Sequence, residues 1–153
     1  MTADHAHPVL LAENDENDIL LFRRAFRLVG LKHPLLVVEN GEEVLQYLAG
    51  QGPFSDRQRY PFPALLLLDL KMPKKSGFEV LEWIGSQAEL RSLTVLILSS
   101  SSHASDMEKA YALGAKSYFV KPVDFDKLAE IVRCLARHWL PGCSQDKSTL
   151  AVK

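Results

Sequence analysis

Ala64-Leu65-Leu66-Leu67-Leu68-Asp69 runs directly into Leu70-Lys71-Met72-Pro73-Lys74-Lys75-Ser76-Gly77. Five consecutive apolar residues ahead of turn chemistry read as a strand buried on both faces, the kind found in a parallel sheet. A carboxylate that ends such a strand stands at the carboxyl edge of the sheet, where open α/β folds hold their ligands. Burying a charge is costly unless it is paired or bound to a cation. Asp69 is therefore either part of a site or a cap on the next turn, and this segment alone does not decide between them.

Outward from this strand, the chain alternates strands with helices. Pro8 to Ala12 is an apolar run closed by Glu13-Asn14-Asp15, after which Ile19, Leu20, Phe22, Phe26 and Val29 recur at helical spacing up to Gly30. Leu35 to Val38 reads as a second strand ended by Asn40-Gly41, and Glu42 to Ala49 as a helix with Val44, Leu45 and Leu48 on one face. The glycine- and proline-containing stretch from Gly50 to Pro63 reads as a long loop. Gly77 opens a helix whose inward positions are Phe78, Val80, Leu81 and Ile84. Thr94 to Leu98 is a fourth strand ended by a serine run, Asp106 to Leu113 a helix closed by Gly114, and Ser117 to Val120 a fifth strand before Lys121-Pro122. Asp124 is placed to cap the last helix, which faces inward with Leu128, Ile131, Val132 and Leu135. Five strands interleaved with five helices predict a doubly wound α/β fold, a five-stranded parallel sheet with helices on both faces.

Size and composition limit the function classes. At 153 residues the chain fits one domain, expected over 9–140, with a short segment 1–8 before it and a polar tail 141–153 after it. A formal net charge of −1 with no long run of one sign argues against nucleic acid as a direct partner. No apolar stretch approaches the roughly 18–20 residues of a membrane span, and Met1 to Pro8 has no signal-peptide pattern. Cys134 and Cys143 have neither metal-ligand nor disulfide-framework spacing, so a cytoplasmic protein is expected. His5, His7, His33, His103 and His138 stand at no ligand spacing and read as surface residues.

In a doubly wound sheet, the ends of strands one, three, four and five can converge, bringing together Glu13-Asn14-Asp15, Asp69, Ser99 and Lys121. Each alone has a plainer explanation: an acidic first turn favoured by the helix dipole, a solvated serine, an exposed strand end. Acids, a hydroxyl and an ammonium at one edge together favour a site. Oxygen ligands of this kind suit a hard divalent cation such as Mg²⁺. The same carboxylate can attack phosphorus to give an aspartyl-phosphate, with a metal and a lysine neutralising the transferred group.

These motifs resemble the response-regulator receiver domains of two-component signalling over nearly all of Val9 to Trp139. The resemblance rests on Leu10-Leu11-Ala12-Glu13-Asn14-Asp15, the Leu65-to-Gly77 segment around Asp69, Ile97-Leu98-Ser99-Ser100 and Ser117-Tyr118-Phe119-Val120-Lys121-Pro122. It implies that Asp69 accepts a phosphoryl group from the phosphohistidine of a sensor histidine kinase, and that the chain is a signalling protein, not an enzyme. It implies a Mg²⁺ site formed by Glu13, Asn14, Asp69 and the backbone carbonyl of Lys71. Ser99 would be the switch hydroxyl and Lys121 the lysine ahead of a cis Pro122. Tyr118 would be the aromatic switch that turns inward on activation. The segments Gln51 to Pro61, Ser76 to Trp83 and Lys121 to Asp126 further resemble the stand-alone receivers that serve phytochrome-type kinases. That resemblance implies a homodimer built on the last helix. Trp139 and Leu140 are its candidate anchors, although Trp139 could equally cap the domain's own core.

One position departs from the family. The second acid after strand one is Asn14, whose amide brings no charge to a metal, and Asp15 is the candidate compensating acid. A phosphorylation-independent pseudo-receiver, acting only as a binding module, is the alternative that Asn14 supports. A haloacid-dehalogenase-type phosphohydrolase needs a second acid where Lys71 stands. A flavin-binding module needs a phosphate loop where Glu13-Asn14-Asp15 stands.

Overall fold

A computed structural model describes residues 7–140. The expected tail, Cys143 and His5 lie outside the described residues. Strands β1 (Val9–Ala12), β2 (Leu35–Val38), β3 (Leu65–Leu68), β4 (Val95–Ser99) and β5 (Ser117–Val120) form one parallel sheet in the order β2-β1-β3-β4-β5. Helices α1 (Glu16–Val29), α2 (Gly41–Ala49), α3 (Gly77–Gly85), α4 (Ala104–Ala112) and α5 (Phe125–Trp139) make the crossovers. The winding direction reverses between β1 and β3, and Ala12 pairs with Leu68 there, so Glu13 and Asp69 leave adjacent strands side by side.

Residues alternate along each strand and so feed two cores. Leu10, Ala12, Leu66, Leu68 and Ile97 pack with Val44, Leu48, Val80, Leu81 and Ile84 of α2 and α3. Val9, Leu11, Leu65, Leu67, Leu96 and Leu98 pack with Phe22 and Phe26 of α1 and with Leu128, Val132 and Leu135 of α5. All four residues of β1 and of β3 are buried, as the unbroken apolar runs require. Burying each such leucine stabilises the fold by about 1.5–3 kcal/mol.

Local chemistry sets the helix ends. The Asp15 carboxylate accepts from the Asp18 N–H at 3.0 Å and starts α1, which Gly30 ends in the left-handed conformation, φ 77°. Asn40 caps α2, Ser76 and Glu79 form a reciprocal capping box on α3, and Asp124 caps α5 as expected. The connection from α2 to β3 is built around aromatic rings. Tyr47, Phe54 and Tyr60 stack edge to face or tilted, and the Arg57 guanidinium lies 5.5 Å over the Tyr47 ring while donating to the Tyr60 and Leu48 carbonyls.

Five expectations change. α4 begins two residues earlier than its spacing suggested, with His103 at its N-cap, and β4 is shifted one residue to include Ser99. His33 is buried, with its Nδ1 2.7 Å from the His7 carbonyl oxygen, so it is not a surface residue. The Lys121–Pro122 bond is trans, the intrinsically favoured isomer, and no cis peptide occurs among the described residues. Leu140 is only 4% exposed, drawn into the α1–α5 core by the apolar face of α5, so it is a core residue and not an exposed interface anchor. Trp139 is half-buried on the same cluster.

Candidate functional site

Glu13, Asp69 and Ser99 are all buried at the carboxyl edge of the sheet, 2%, 6% and 1% exposed. Backbone bonds fix them. Glu13 N–H donates to the Val38 carbonyl, Asp69 N–H to the Ala12 carbonyl, and Lys121 N–H to the Ser99 carbonyl at 2.8 Å. The Lys121 ammonium enters this edge from the end of β5. It lies 2.7 Å from Glu13 Oε1, 2.8 Å from Asp18 Oδ2 and 3.3 Å from Asp69 Oδ2. A lysine has three N–H donors, so three carboxylates engage its full capacity.

The electrostatics follow from burial and this one cation. Burial pushes the Glu13 carboxyl above its ordinary value; the hydrogen bond from Lys121 pulls it down and the Asp69 charge pushes it up again. Burial works against the Lys121 ammonium, but its bonds to Asp18 and Glu13 and the nearby Asp69 charge outweigh that, and its pKa is raised. Glu13, Asp18 and Asp69 bring three negative charges against one positive, an excess of two that a divalent cation would neutralise. Asp69 itself is loosely held. Its second oxygen accepts from the Lys71 N–H at 3.4 Å, the long end of a hydrogen bond.

The loop after Asp69 is fixed by two glycines. A Cβ on Gly77 would stand 2.5 Å from the Asp69 carbonyl oxygen and 2.7 Å from Leu70 Cα, distances that real side chains do not tolerate. A Cβ on Gly41 would overlap the Lys75 carbonyl oxygen. Gly77 N–H donates to the Leu70 carbonyl, and Gly41 N–H reaches the Pro73 carbonyl at 3.4 Å. The turn also carries Lys74 at φ 69°, beside Glu42 at 3.9 Å.

Just beyond β4, one residue, Ser101, connects three side chains. The Ser101 N–H donates to Ser99 Oγ at 3.1 Å, while the Ser101 carbonyl accepts from the Tyr118 hydroxyl at 2.9 Å. Ser101 Oγ donates to Asp106 in the first turn of α4 at 2.6 Å. Tyr118 is half-buried against the core, so its ring is already turned in.

The structure thus brings together four of the residues singled out from sequence: Glu13, Asp69, Ser99 and Lys121. Asn14 and Lys71 lie exposed beside them. Asp15 is committed to capping α1, and its N–H donates to Glu13 Oε2 at 3.1 Å. Asp18 was not anticipated. Its only sequence signal is an acid in the first turn of α1, which the helix dipole alone explains. Among the described residues, no group of three His, Cys, Asp or Glu side chains stands ready as a metal cage. No helix among them is long and apolar enough to cross a membrane.

A parallel sheet with an acid, a hydroxyl and a lysine converging on its carboxyl edge defines a class. Residues 9–133 match the model of the response regulator receiver domain, and the chain belongs to that family of two-component signalling proteins. Within the family it is related to phytochrome response regulators. Response regulator Rcp1 of Synechocystis is 29% identical over 141 residues, spanning 90% of this chain and 94% of its own length. The crystal structure of the Mn²⁺-bound form of Rcp1 superposes with a TM-score of 0.78 at 28% identity, covering 92% and 99% of the two chains. Response regulator RPA3017, from red light signaling of R. palustris, superposes at 0.83 with 33% identity over 91% and 96%. The phosphorylated cyanobacterial phytochrome response regulator RcpA does so at 0.80 with 31% identity over 90% and 99%.

Proposed function

We propose that the chain is a response regulator whose Asp69 accepts a phosphoryl group from a sensor histidine kinase of phytochrome type. The observation that carries this reading is the Lys121 ammonium held between buried Glu13 and Asp69 at the sheet edge. A loosely bonded Asp69 oxygen attacks phosphorus in line. The O–P bond forms as the P–N bond to the donor histidine breaks, and the electron pair stays with the departing nitrogen. The Lys121 ammonium and the Ser99 hydroxyl donate to the phosphoryl oxygens, supplying charge where it develops.

The donor set fits Mg²⁺. Carboxylate oxygens of Glu13 and Asp69, the Lys71 carbonyl and the Asn14 amide are all hard oxygen ligands, and the surplus negative charge calls for a dication. Bound there, Mg²⁺ would neutralise part of the charge on the transferring group. Asn14 contributes no charge, so the site leans on Glu13 and Asp69. An acid at Asp15 is not a substitute, because its carboxylate caps α1.

An aspartyl-phosphate carries up to two negative charges where the carboxylate carried one, and it brings new acceptor oxygens. Ser99 moving toward them takes its bond from the Ser101 N–H with it; the Ser101 carbonyl carries the Tyr118 hydroxyl, and the Ser101 hydroxyl, through Asp106, carries the start of α4. The signal is then a change in the α4–β5–α5 surface, read by a binding partner or a second copy of the chain. Exposed Tyr111 and Val120 lie on α4 and β5.

Transfer from phosphorylated candidate kinases, with and without Mg²⁺, tests this. Labelling is expected in Mg²⁺ and lost in Asp69→Asn. Undiminished labelling of Asp69→Asn refutes the acceptor assignment. No labelling by any donor, with partner binding intact, establishes instead the phosphorylation-independent module that Asn14 supports.

A further inference from the structure

Asp18 lies three residues after Asp15 and contributes nothing to the expected metal or acceptor set, yet it makes one of the two shortest contacts to the Lys121 ammonium. Its Oδ2 accepts from the Lys121 ammonium at 2.8 Å, against 3.3 Å for Asp69. Both partners are fixed from behind. Asp18 is held by its own N–H bond to the Asp15 cap, and Lys121 by its N–H bond to Ser99 and by Pro122 beyond it. Glu13 is bound through both oxygens, one to Lys121 and one to the Asp15 N–H, so it cannot follow the ammonium. The position of the ammonium along the line from Asp18 to Asp69 therefore depends on which of those two carboxylates holds it more tightly. A cavity of about 30 Å³, lined by Glu13, Asp18, Leu21, Phe22, Lys121 and Pro122, leaves room there for no more than a water.

We infer that Asp18 is a positioning residue: it draws the Lys121 ammonium off Asp69, which leaves the acceptor oxygen free to bind a cation and to attack phosphorus. This rests on the function proposed above and goes beyond it. Without the Asp18 charge, the third ammonium proton turns to Asp69, and the 3.3 Å contact closes toward the ~2.8 Å of a full charge-assisted bond. A tightly paired Asp69 is both a poorer metal ligand and a poorer nucleophile. Asp18 thereby restores to the site the negative charge that Asn14 does not supply, from the side of the lysine instead of the side of the metal.

The test compares Asp18→Asn, Asp18→Glu and Glu16→Gln in the full chain. Glu16 is exposed in the same turn and removes the same charge without touching Lys121. Mn²⁺ affinity is read from the free-ion EPR signal, and the limiting rate of phosphorylation from acetyl phosphate. Asp18 is partly exposed, so Asp18→Asn is expected to weaken Mn²⁺ binding about three- to tenfold and to lower the limiting rate by a similar factor. Glu16→Gln should leave both within about 1.5-fold, and Asp18→Glu should recover part of the loss. Wild-type values in Asp18→Asn, or an equal loss in Glu16→Gln, overturn the inference. A wild type that binds Mn²⁺ but is never labelled overturns the proposed phosphoacceptor role instead, while the Mn²⁺ comparison still decides Asp18. A wild type that binds no metal overturns both.

Discussion

Lys121→Met removes the ammonium and keeps most of its volume. The Lys121 side chain is 17% exposed, and the Glu13 and Asp69 side chains it bridges are 3% and 8% exposed. Asp18, at 39%, is screened by water and contributes little to the loss. Breaking a buried pair by deleting one partner costs about 3–5 kcal/mol, because the remaining charge is left uncompensated. Glu13 and Asp69 are the two carboxylates stranded, and burial holds the Glu13 carboxyl above its ordinary value, which favours its neutral form. The expected loss at pH 7 in EDTA therefore stays near 3–5 kcal/mol, about 10 °C in melting temperature for a domain of this size. Urea unfolding at pH 7 and pH 5 measures it. The loss should shrink at pH 5, because a lower pH favours the neutral form of a carboxyl whose pKa is raised, and Mg²⁺ should restore part of it at pH 7 by binding the folded chain alone. A loss below about 1 kcal/mol at pH 7, or a larger loss at pH 5 than at pH 7, would refute Lys121 as the counter-charge of this edge.

Two further outcomes follow from the same geometry. Glu13 titrates above 4.5 in the folded chain, so between 4.5 and that higher value the folded chain holds more protons than the unfolded one. Metal-free stability should fall as pH rises through that window and level off above it; Glu13→Gln should flatten the slope in a pH series of urea melts. Gly77→Ala drives a Cβ into the Asp69 and Leu70 backbone and should cost about 1–3 kcal/mol with slower phosphorylation. Gly85→Ala, where nothing lies within 4 Å in a helix, should instead be neutral or stabilising by up to about 1 kcal/mol.

Much of the fold was legible because the punctuation was strong. β1, β2, β3 and β5 are apolar runs ended by acids, Asn-Gly or Lys-Pro, and β1 and β3, buried on both faces, have no periodicity to misread. Gly30 and Asp124 gave helix ends for the same reason: a left-handed residue and a side-chain acceptor are local requirements. The convergence of Glu13, Asp69, Ser99 and Lys121 was legible through the topology, since strand order alone brings those ends together. Partnership was not. Asp18 meets Lys121 across 103 residues, and nothing in the first turn of α1 distinguishes that role from dipole compensation. The capping role of Asp15 was not legible, because a strand-end acid and a helix cap look alike until the first turn is seen. Leu140 is a candidate interface anchor by resemblance alone, and spacing does not show that the end of α5 packs it into the core. His33 lies in a connecting segment, where burial depends on which carbonyl it reaches.

The connection between α2 and β3 has a consequence for how this surface can diversify. Arg57 reaches back to the Leu48 and Tyr60 carbonyls, and Tyr47 donates to the Pro61 carbonyl, so the ends of the segment are tied by three hydrogen bonds. Its outer positions Gln51, Pro53, Ser55 and Gln58 face solvent and their side chains carry none of those ties, whereas Asp56 makes a local turn and the Arg59 guanidinium lies 5.5 Å over the Tyr60 ring. Substitutions there can accumulate at little thermodynamic cost, so the segment works as a stiff display frame whose lettering can be changed without disturbing the sheet edge. A phage-display library restricted to those outer positions would keep the parent melting temperature while sampling new partners.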